Sequence, residues 1–254
     1  MYGWRGRIGL LVPSINTVME TEFWRIAPEG VAISTARIAG GRHGTPDELR
    51  NMEKEACGAA TRVANTEPDV VVYGCTSGSF FEGPEWSKKI CQQISDIAKA
   101  PAITTAAAMA EALTRTGRRK VAVVTPYVEV TNERLRQFLR AYNIETTKLG
   151  TFDMLDMFDH AKIQPSEIYA KVKEVAVSDC EAVFVACTQL RALEVLDALE
   201  RDLGKPVYSA VQVSAWMAYQ LMGVDPQIMN CGSLLASLSD GHKAPASRPQ
   251  LKTA

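Results

Sequence analysis

The chain of 254 residues predicts an α/β protein: two pseudo-symmetric halves, each a parallel sheet sandwiched by helices, with a cleft between them. Three observations predict it. Short β-branched runs alternate with helix-patterned segments along the whole chain, the signature of parallel βαβ units. Two of these runs end alike, Val70-Val71-Val72-Tyr73-Gly74-Cys75-Thr76 and Ala182-Val183-Phe184-Val185-Ala186-Cys187-Thr188. The spacing also repeats, with 62 positions from Pro13 to Cys75 and 61 from Pro126 to Cys187. Parallel crossovers are right-handed almost without exception, so the two halves should wind alike.

The elements follow in order. Ile8 to Val12 is a buried strand ended by Pro13-Ser14-Ile15-Asn16-Thr17, and Val18 to Ile26 a helix with Glu20 and Glu22 at its favourable end. Val31 to Ile38 alternates as a second strand, and Gly40 to Gly44 is a loop. Thr45-Pro46-Asp47-Glu48 is a capping box with Pro at N1, opening a helix to about Asn65. The Cys75 strand follows, then a helix from Pro84 to Lys99, a strand from Pro101 to Thr104, and a helix from Thr105 to Thr116 stopped by Gly117. The second half has strands at Lys120–Val124, Glu145–Leu149, Glu181–Val185 and Val207–Val211. Its helices are expected at Asn132–Tyr142, Pro165–Val177, Leu190–Leu203 and Ser214–Leu221. The domain expectation is 1–116 with 212–240 returning to it, 117–211 as the second half, and 241–254 as a disordered polar tail.

Bulk properties narrow the function. At 46% hydrophobic and 22% charged the chain can build a large core. A formal net charge of −1 favours neither nucleic acid nor an anionic membrane. No apolar run approaches the roughly 18 residues of a membrane span, and Ile8 to Val12 is too short for a signal segment, so a cytoplasmic setting is expected. The six cysteines show no paired spacing, which argues against structural zinc and a disulfide framework. His43, His160 and His242 lie far apart, so no metal site is expected from them. A homo-oligomer is compatible with the sequence.

In open α/β sheets ligands sit at the carboxyl ends of strands. Cys75 and Cys187 both fall there, one on each wall of the cleft. Nearby helix N-termini should favour their thiolates. One thiolate and one thiol on opposite faces of a small carboxylate suit proton transfer, and a thiolate can also add to an electrophilic carbon. Ser14, Asn16, Thr76, Ser77, Tyr127 and Thr188 each fall within three residues of a strand end and should bind the carboxylate. No Arg or Lys occupies these turns, leaving neutral donors and backbone N–H groups. The competing readings are plain: two buried thiols that only pack, a Tyr127 that is core, an Asn16 that only caps its helix. Cys57, Cys91, Cys180 and Cys231 lack such placement and read as packing.

At these residues the chain resembles the cofactor-independent Asp/Glu racemase superfamily, in the branch of maleate cis-trans isomerases, arylmalonate decarboxylases and ectoine-utilisation proteins. The resemblance spans about residues 6 to 235 and rests on Val12-Pro13-Ser14-Ile15-Asn16-Thr17-Val18-Met19-Glu20, Tyr73-Gly74-Cys75-Thr76-Ser77-Gly78, Thr125-Pro126-Tyr127 and Ala186-Cys187-Thr188-Gln189. It implies that Cys75 and Cys187 are the catalytic thiols, that Asn16 and Tyr127 bind carboxylate and intermediate, and that no cofactor is needed. In the isomerases it resembles, the first thiolate adds to the double bond and the second Cys assists. The decarboxylases keep only the second, with Gly then Thr-Ser at the first. This chain has both thiols, yet Thr76-Ser77 follows the first, and Phe152 to Met157 lacks the Asn of the isomerases. The expected function is an isomerase or racemase of a small carboxylate. The alternatives are a decarboxylase with Cys187 as proton donor, and a ligand-binding protein with inert cysteines.

Overall fold

Runs of Val, Ile and Leu closed by Pro or Gly fold as strands, and the amphipathic stretches between them as helices. The structure, a computed structural model, describes residues 2–177 and 179–236. In the first half β1 (Gly6–Pro13), β2 (Val31–Ile38), β3 (Val70–Tyr73) and β4 (Ala102–Thr104) alternate with α1 (Met19–Arg25), α2 (Pro46–Ala64), α3 (Thr76–Phe80), α4 (Pro84–Ala98) and α5 (Thr105–Arg115). In the second, β5 (Lys120–Thr125), β6 (Glu145–Thr151), β7 (Ala182–Val185) and β8 (Val207–Ser209) alternate with α6 (Glu129–Ala141), α7 (Pro165–Val175), α8 (Leu196–Leu203) and α9 (Ala210–Met222).

Both sheets are four-stranded and parallel, in the orders β2-β1-β3-β4 and β6-β5-β7-β8. The duplication extends to single bonds. The Asp69 carboxylate accepts from the Arg7 N–H at 2.8 Å, and the Glu181 carboxylate from the Arg119 N–H at 2.6 Å. At the other strand ends Gly74 N–H donates to the Leu11 carbonyl at 2.7 Å, and Ala186 N–H to the Val124 carbonyl at 2.8 Å. β3 and β7 are buried throughout, as central parallel strands must be. They set Cys75 and Cys187 at equivalent strand ends. α9 packs against α5, α1, β3 and β4 of the first half and also touches β8. The tail 241–254 expected to be disordered lies outside the described residues.

Four differences from expectation have a local reason. α3 forms directly after Cys75, whose Sγ accepts from the Gly78 N–H as its cap. α6 begins at Glu129, not at Asn132, because Asn132 turns inward: its Oδ1 accepts from Thr125 Oγ1 at 2.7 Å and its amide donates to the Tyr127 carbonyl at 2.9 Å. α8 begins at Leu196 rather than Leu190, since the preceding chain makes short turns and buries Leu190, Ala192 and Leu193. α9 begins at Ala210 rather than Ser214, because Ser209 and Gln212 form a capping box.

One carboxyl is buried without a hydrogen-bond partner of good geometry among the described residues. Glu22 of α1 is 3% exposed, and burial pushes it up to about 8, with the Leu193 N–H acting the other way. The folded chain therefore binds more protons than the unfolded one between about pH 4.5 and 8. Stability should fall as pH rises through that window, by at most about 1.4 kcal/mol per unit from this group. Glu22→Gln should flatten that slope and raise the melting temperature at pH 8. Denaturant melts of both proteins at pH 5 and pH 8 check it, and equal slopes would remove Glu22 as the cause.

Candidate active site

The two glycines of Gly74-Cys75-Thr76-Ser77-Gly78 are there for close approach. A Cβ on Gly74 would meet Met19 Sδ at 2.4 Å and the Leu11 carbonyl oxygen at 3.0 Å. A Cβ on Gly78 would meet the Tyr73 hydroxyl at 2.9 Å and Cys75 Sγ at 3.0 Å. With hydrogen there instead, the Gly78 N–H reaches Cys75 Sγ at 3.4 Å, and Ser77 Oγ lies 3.9 Å from the same sulfur. Ser79 seats α3 by accepting from the Ala106 N–H and donating to the Thr76 carbonyl. On the opposite wall Cys187 Sγ accepts from the Gln189 N–H at 3.4 Å.

The walls are bonded to each other. Asn16 accepts at Oδ1 from the N–H groups of Val18 and Met19, at 3.0 and 2.9 Å, and donates from its amide to Thr188 Oγ1 at 3.1 Å. Thr188 donates in turn to the Gly74 carbonyl at 3.2 Å. Gln189 accepts from the Thr17 N–H at 2.9 Å and donates to the Ile15 carbonyl at 3.0 Å. Asn16 thus caps α1 and also ties the halves together.

Cys75, Cys187, Asn16, Thr76, Ser77, Tyr127 and Thr188 line one pocket, joined by Ile15, Met157, His160 and Gln189. Ser14 does not line it: its side chain is exposed, and its N–H continues the β1 edge onto the Ile38 carbonyl at 2.8 Å. Among the described lining residues there is no Arg, Lys, Asp or Glu. No group of described His, Cys, Asp and Glu side chains is arranged to hold a metal ion. The free space is about 30 Å³, room for a water or two. A strap from both halves runs beside the pocket through Met157. Met157 donates its N–H to the Arg42 carbonyl at 2.6 Å, and the Arg42 guanidinium pairs with Asp156 at 2.7 Å and lies 5.1 Å over the Phe158 ring.

His160 was not singled out as a site residue. It sits on a 3-10 turn, Asp159–Lys162, with Nδ1 3.8 Å from Cys187 Sγ. Nothing in its sequence spacing marks it. Gln189, by contrast, stands within the second Cys-Thr motif.

The electrostatics reverse one expectation. Burial pushes Cys187 up to about 12 and Cys75 above its ordinary value. The Gly78 and Gln189 N–H groups pull both thiols down, as strand-end donors should, but they do not offset desolvation. In the closed pocket both cysteines are thiols. The Tyr127 phenol is pushed well up, first by burial and then by the two sulfurs. The Tyr127 hydroxyl lies against Cys187 and Thr76, and neither it nor the Thr76 hydroxyl has a hydrogen-bond partner of good geometry among the described residues, so both can turn to a ligand in the pocket.

A family model described as arylmalonate decarboxylase matches residues 8–235. The chain is 27% identical to the maleate isomerase of Geobacillus stearothermophilus, over 91% of this chain and 97% of that one. It is 25% identical to the arylmalonate decarboxylase of Bordetella bronchiseptica, over 85% and 90%. The fold matches a solved Nocardia farcinica maleate cis-trans isomerase, a mutant with a covalently bound succinylcysteine intermediate, with a TM-score of 0.86 at 23% identity, over 91% and 98% of the two chains.

Tyr127→Phe removes a hydroxyl with no well-placed partner, so stability should change by less than about 1 kcal/mol. Gln189→Ala removes two bonds across the junction and should cost about 1–3 kcal/mol. Thermal melts of the two variants should therefore separate clearly. A Tyr127→Phe loss as large as that of Gln189→Ala would mean that the phenol is structural.

Proposed function

The chain belongs to the arylmalonate decarboxylase family, and on that premise we propose that it is a cofactor-independent cis–trans isomerase of a small dicarboxylate, maleate first, acting in the cytoplasm. One observation carries the reading: two buried thiols from equivalent strand ends line the same pocket. A single thiol would suffice to return a proton after decarboxylation. A second one beside it suits addition and elimination.

The steps follow from the groups present. The Cys75 thiolate adds to one olefinic carbon, forming a C–S bond and moving the π pair onto the neighbouring carbon and its carboxylate. The former double bond is now single and rotates. The electron pair then returns, the C–S bond breaks and the trans alkene leaves with the thiolate restored. Charge accumulates on a carboxylate during this step, and the donors for it are in place: the Asn16 amide, the Thr76, Ser77 and Tyr127 hydroxyls, and strand-end N–H groups. A fixed cation would stabilise the ground-state dianion as much as the intermediate, and would gain little rate. With about 30 Å³ free, the walls must part to admit any four-carbon acid. If the neighbouring carbon takes the Cys187 S–H proton, the adduct is a succinylcysteine, as in the N. farcinica structure, and Cys187 must take that proton back before the C–S bond breaks.

Thr76-Ser77 after the first thiol favours a second reading, decarboxylation of a substituted malonate with Cys187 reprotonating the enediolate. The two are separated by proton NMR of the pure protein with maleate, and by carbon dioxide release from arylmalonates. Isomerisation predicts conversion of maleate to fumarate. Cys75→Ala and Cys187→Ala should each lower it about 10²–10⁴-fold with the melting temperature held. Full turnover by Cys187→Ala would sink the two-thiol mechanism.

A further inference from the structure

A thiol pushed up to about 12 is almost wholly protonated at neutral pH. It becomes useful only if a base lies within reach of its proton. Among the described pocket-lining residues, one titratable side chain is neither thiol nor phenol: His160, buried at 2% exposure, with Nδ1 3.8 Å from Cys187 Sγ. Its other nitrogen, Nε2, lies 3.1 Å from the Met154 carbonyl oxygen. A carbonyl can only accept, so Nε2 carries the hydrogen and Nδ1 presents a lone pair. That lone pair faces the Cys187 S–H. Among the described residues, the hydrogen-bond partners of Cys75 Sγ are the Gly78 N–H and the Ser77 hydroxyl.

We propose that His160 is the proton acceptor of Cys187, making Cys187 the thiol of the pair that ionises first; its thiolate can then take the Cys75 proton and leave Cys75 as the nucleophile. In the step, the Cys187 S–H bond breaks, its electron pair stays on sulfur, and the proton binds Nδ1. The product is a thiolate beside an imidazolium, with net charge unchanged, and the reverse transfer restores the thiol. The surroundings suit it. The Met154 carbonyl holds the imidazolium Nε2–H, and Asp156 and Asp159 favour its charge from outside the pocket. Those two carboxylates are themselves paired, with Arg42 and Lys162, each at 2.7 Å. The other titratable groups facing the ring are Tyr127, at 6.1 Å between centroids, and His43 across the adjoining small cavity. Burial holds free His160 below its ordinary value, so it is neutral and able to accept at pH 7. An anionic carboxylate in a pocket with no Arg or Lys among its described lining residues would favour the imidazolium further. His160 acts through Cys187, and its place in turnover rests on the isomerase reading.

The test reads the thiols directly and needs no turnover. The full chain is labelled with iodoacetamide between pH 5 and 8.5, and the rates at Cys75 and Cys187 are read by peptide mass spectrometry. Base assistance predicts a Cys187 rate that is flat near neutrality and falls on acidification, with a midpoint below 6.5. His160→Gln should slow Cys187 labelling at pH 7 by about tenfold or more, leave Cys75 within about twofold, and abolish the plateau. A Cys187 rate in the unsubstituted chain that climbs about tenfold per pH unit throughout, as unassisted thiol ionisation requires, overturns the proposal whether or not the variant folds. Equal slowing of both thiols in the variant also overturns it, as a change of access. Maleate turnover is followed on the same samples. The labelling pattern without turnover leaves the Cys187–His160 couple standing and removes the isomerase reading instead.

Discussion

The geometry of this site depends on a few hydrogen bonds that cross between the halves. Gln189 holds both a donor and an acceptor of the turn after β1, and Asn16 reaches Thr188, which reaches the Gly74 carbonyl. Each such bond contributes on the order of 1 kcal/mol, but leaving a buried member unpaired costs more. The junction therefore has one low-energy register. In that register the two Cys-Thr strand ends face the same space, and neither half alone holds a site. Asn16 shows how tightly this is built, since one side chain both caps a helix and joins the walls.

A pocket so closed makes charge expensive. With about 30 Å³ of free space and no carboxylate, Arg or Lys among the described lining residues, a lone thiolate is poorly solvated and both cysteines stay protonated. The proposed reaction needs a thiolate and a dianionic substrate in this same space. The electrostatic cost falls only if proton and substrate move together, or if a neutral acid–base couple separates charge without adding any. The same dryness that opposes the thiolate strengthens every donor aimed at the developing enediolate. Opening the Arg42–Asp156 strap and closing it again would trade one condition for the other.

Most of the fold was legible in the sequence because parallel βα units repeat a local signal. Strand runs, the Thr45 capping box and the 62- and 61-residue spacings were all visible, and they placed Cys75, Cys187, Asn16, Thr76, Ser77, Tyr127 and Thr188 around one pocket. What was not legible depends on tertiary contact. Asn132 reads as a helix start but is drawn inward to brace the Tyr127 turn. Leu190 to Leu193 reads as helix but is spent on core contacts. Ser14 lies as near a strand end as Asn16, yet the sheet edge turns its side chain to solvent. The depressed thiol values expected from strand-end N–H groups failed for one reason: sequence shows the donors but not the burial that outweighs them.

The two halves match in strand order and in the carboxylates that hold their strand starts, although β5 shifts register against β6 between Val121 and Ala122. They differ where chemistry would require it. After Cys75 the chain makes α3 at once, which gives that sulfur a helix N–H and a hydroxyl. After Cys187 it makes irregular turns before α8, and the Cys187 sulfur meets the Gln189 N–H and His160 of the β6–α7 connection. That connection is longer than its β2–α2 counterpart, and it brings Met157 and His160 over the pocket. A symmetric pair of thiols would have no preferred direction for a proton. Unequal loops on an equal scaffold supply one, because an N–H and a hydroxyl stand beside Cys75 while an imidazole lone pair faces Cys187.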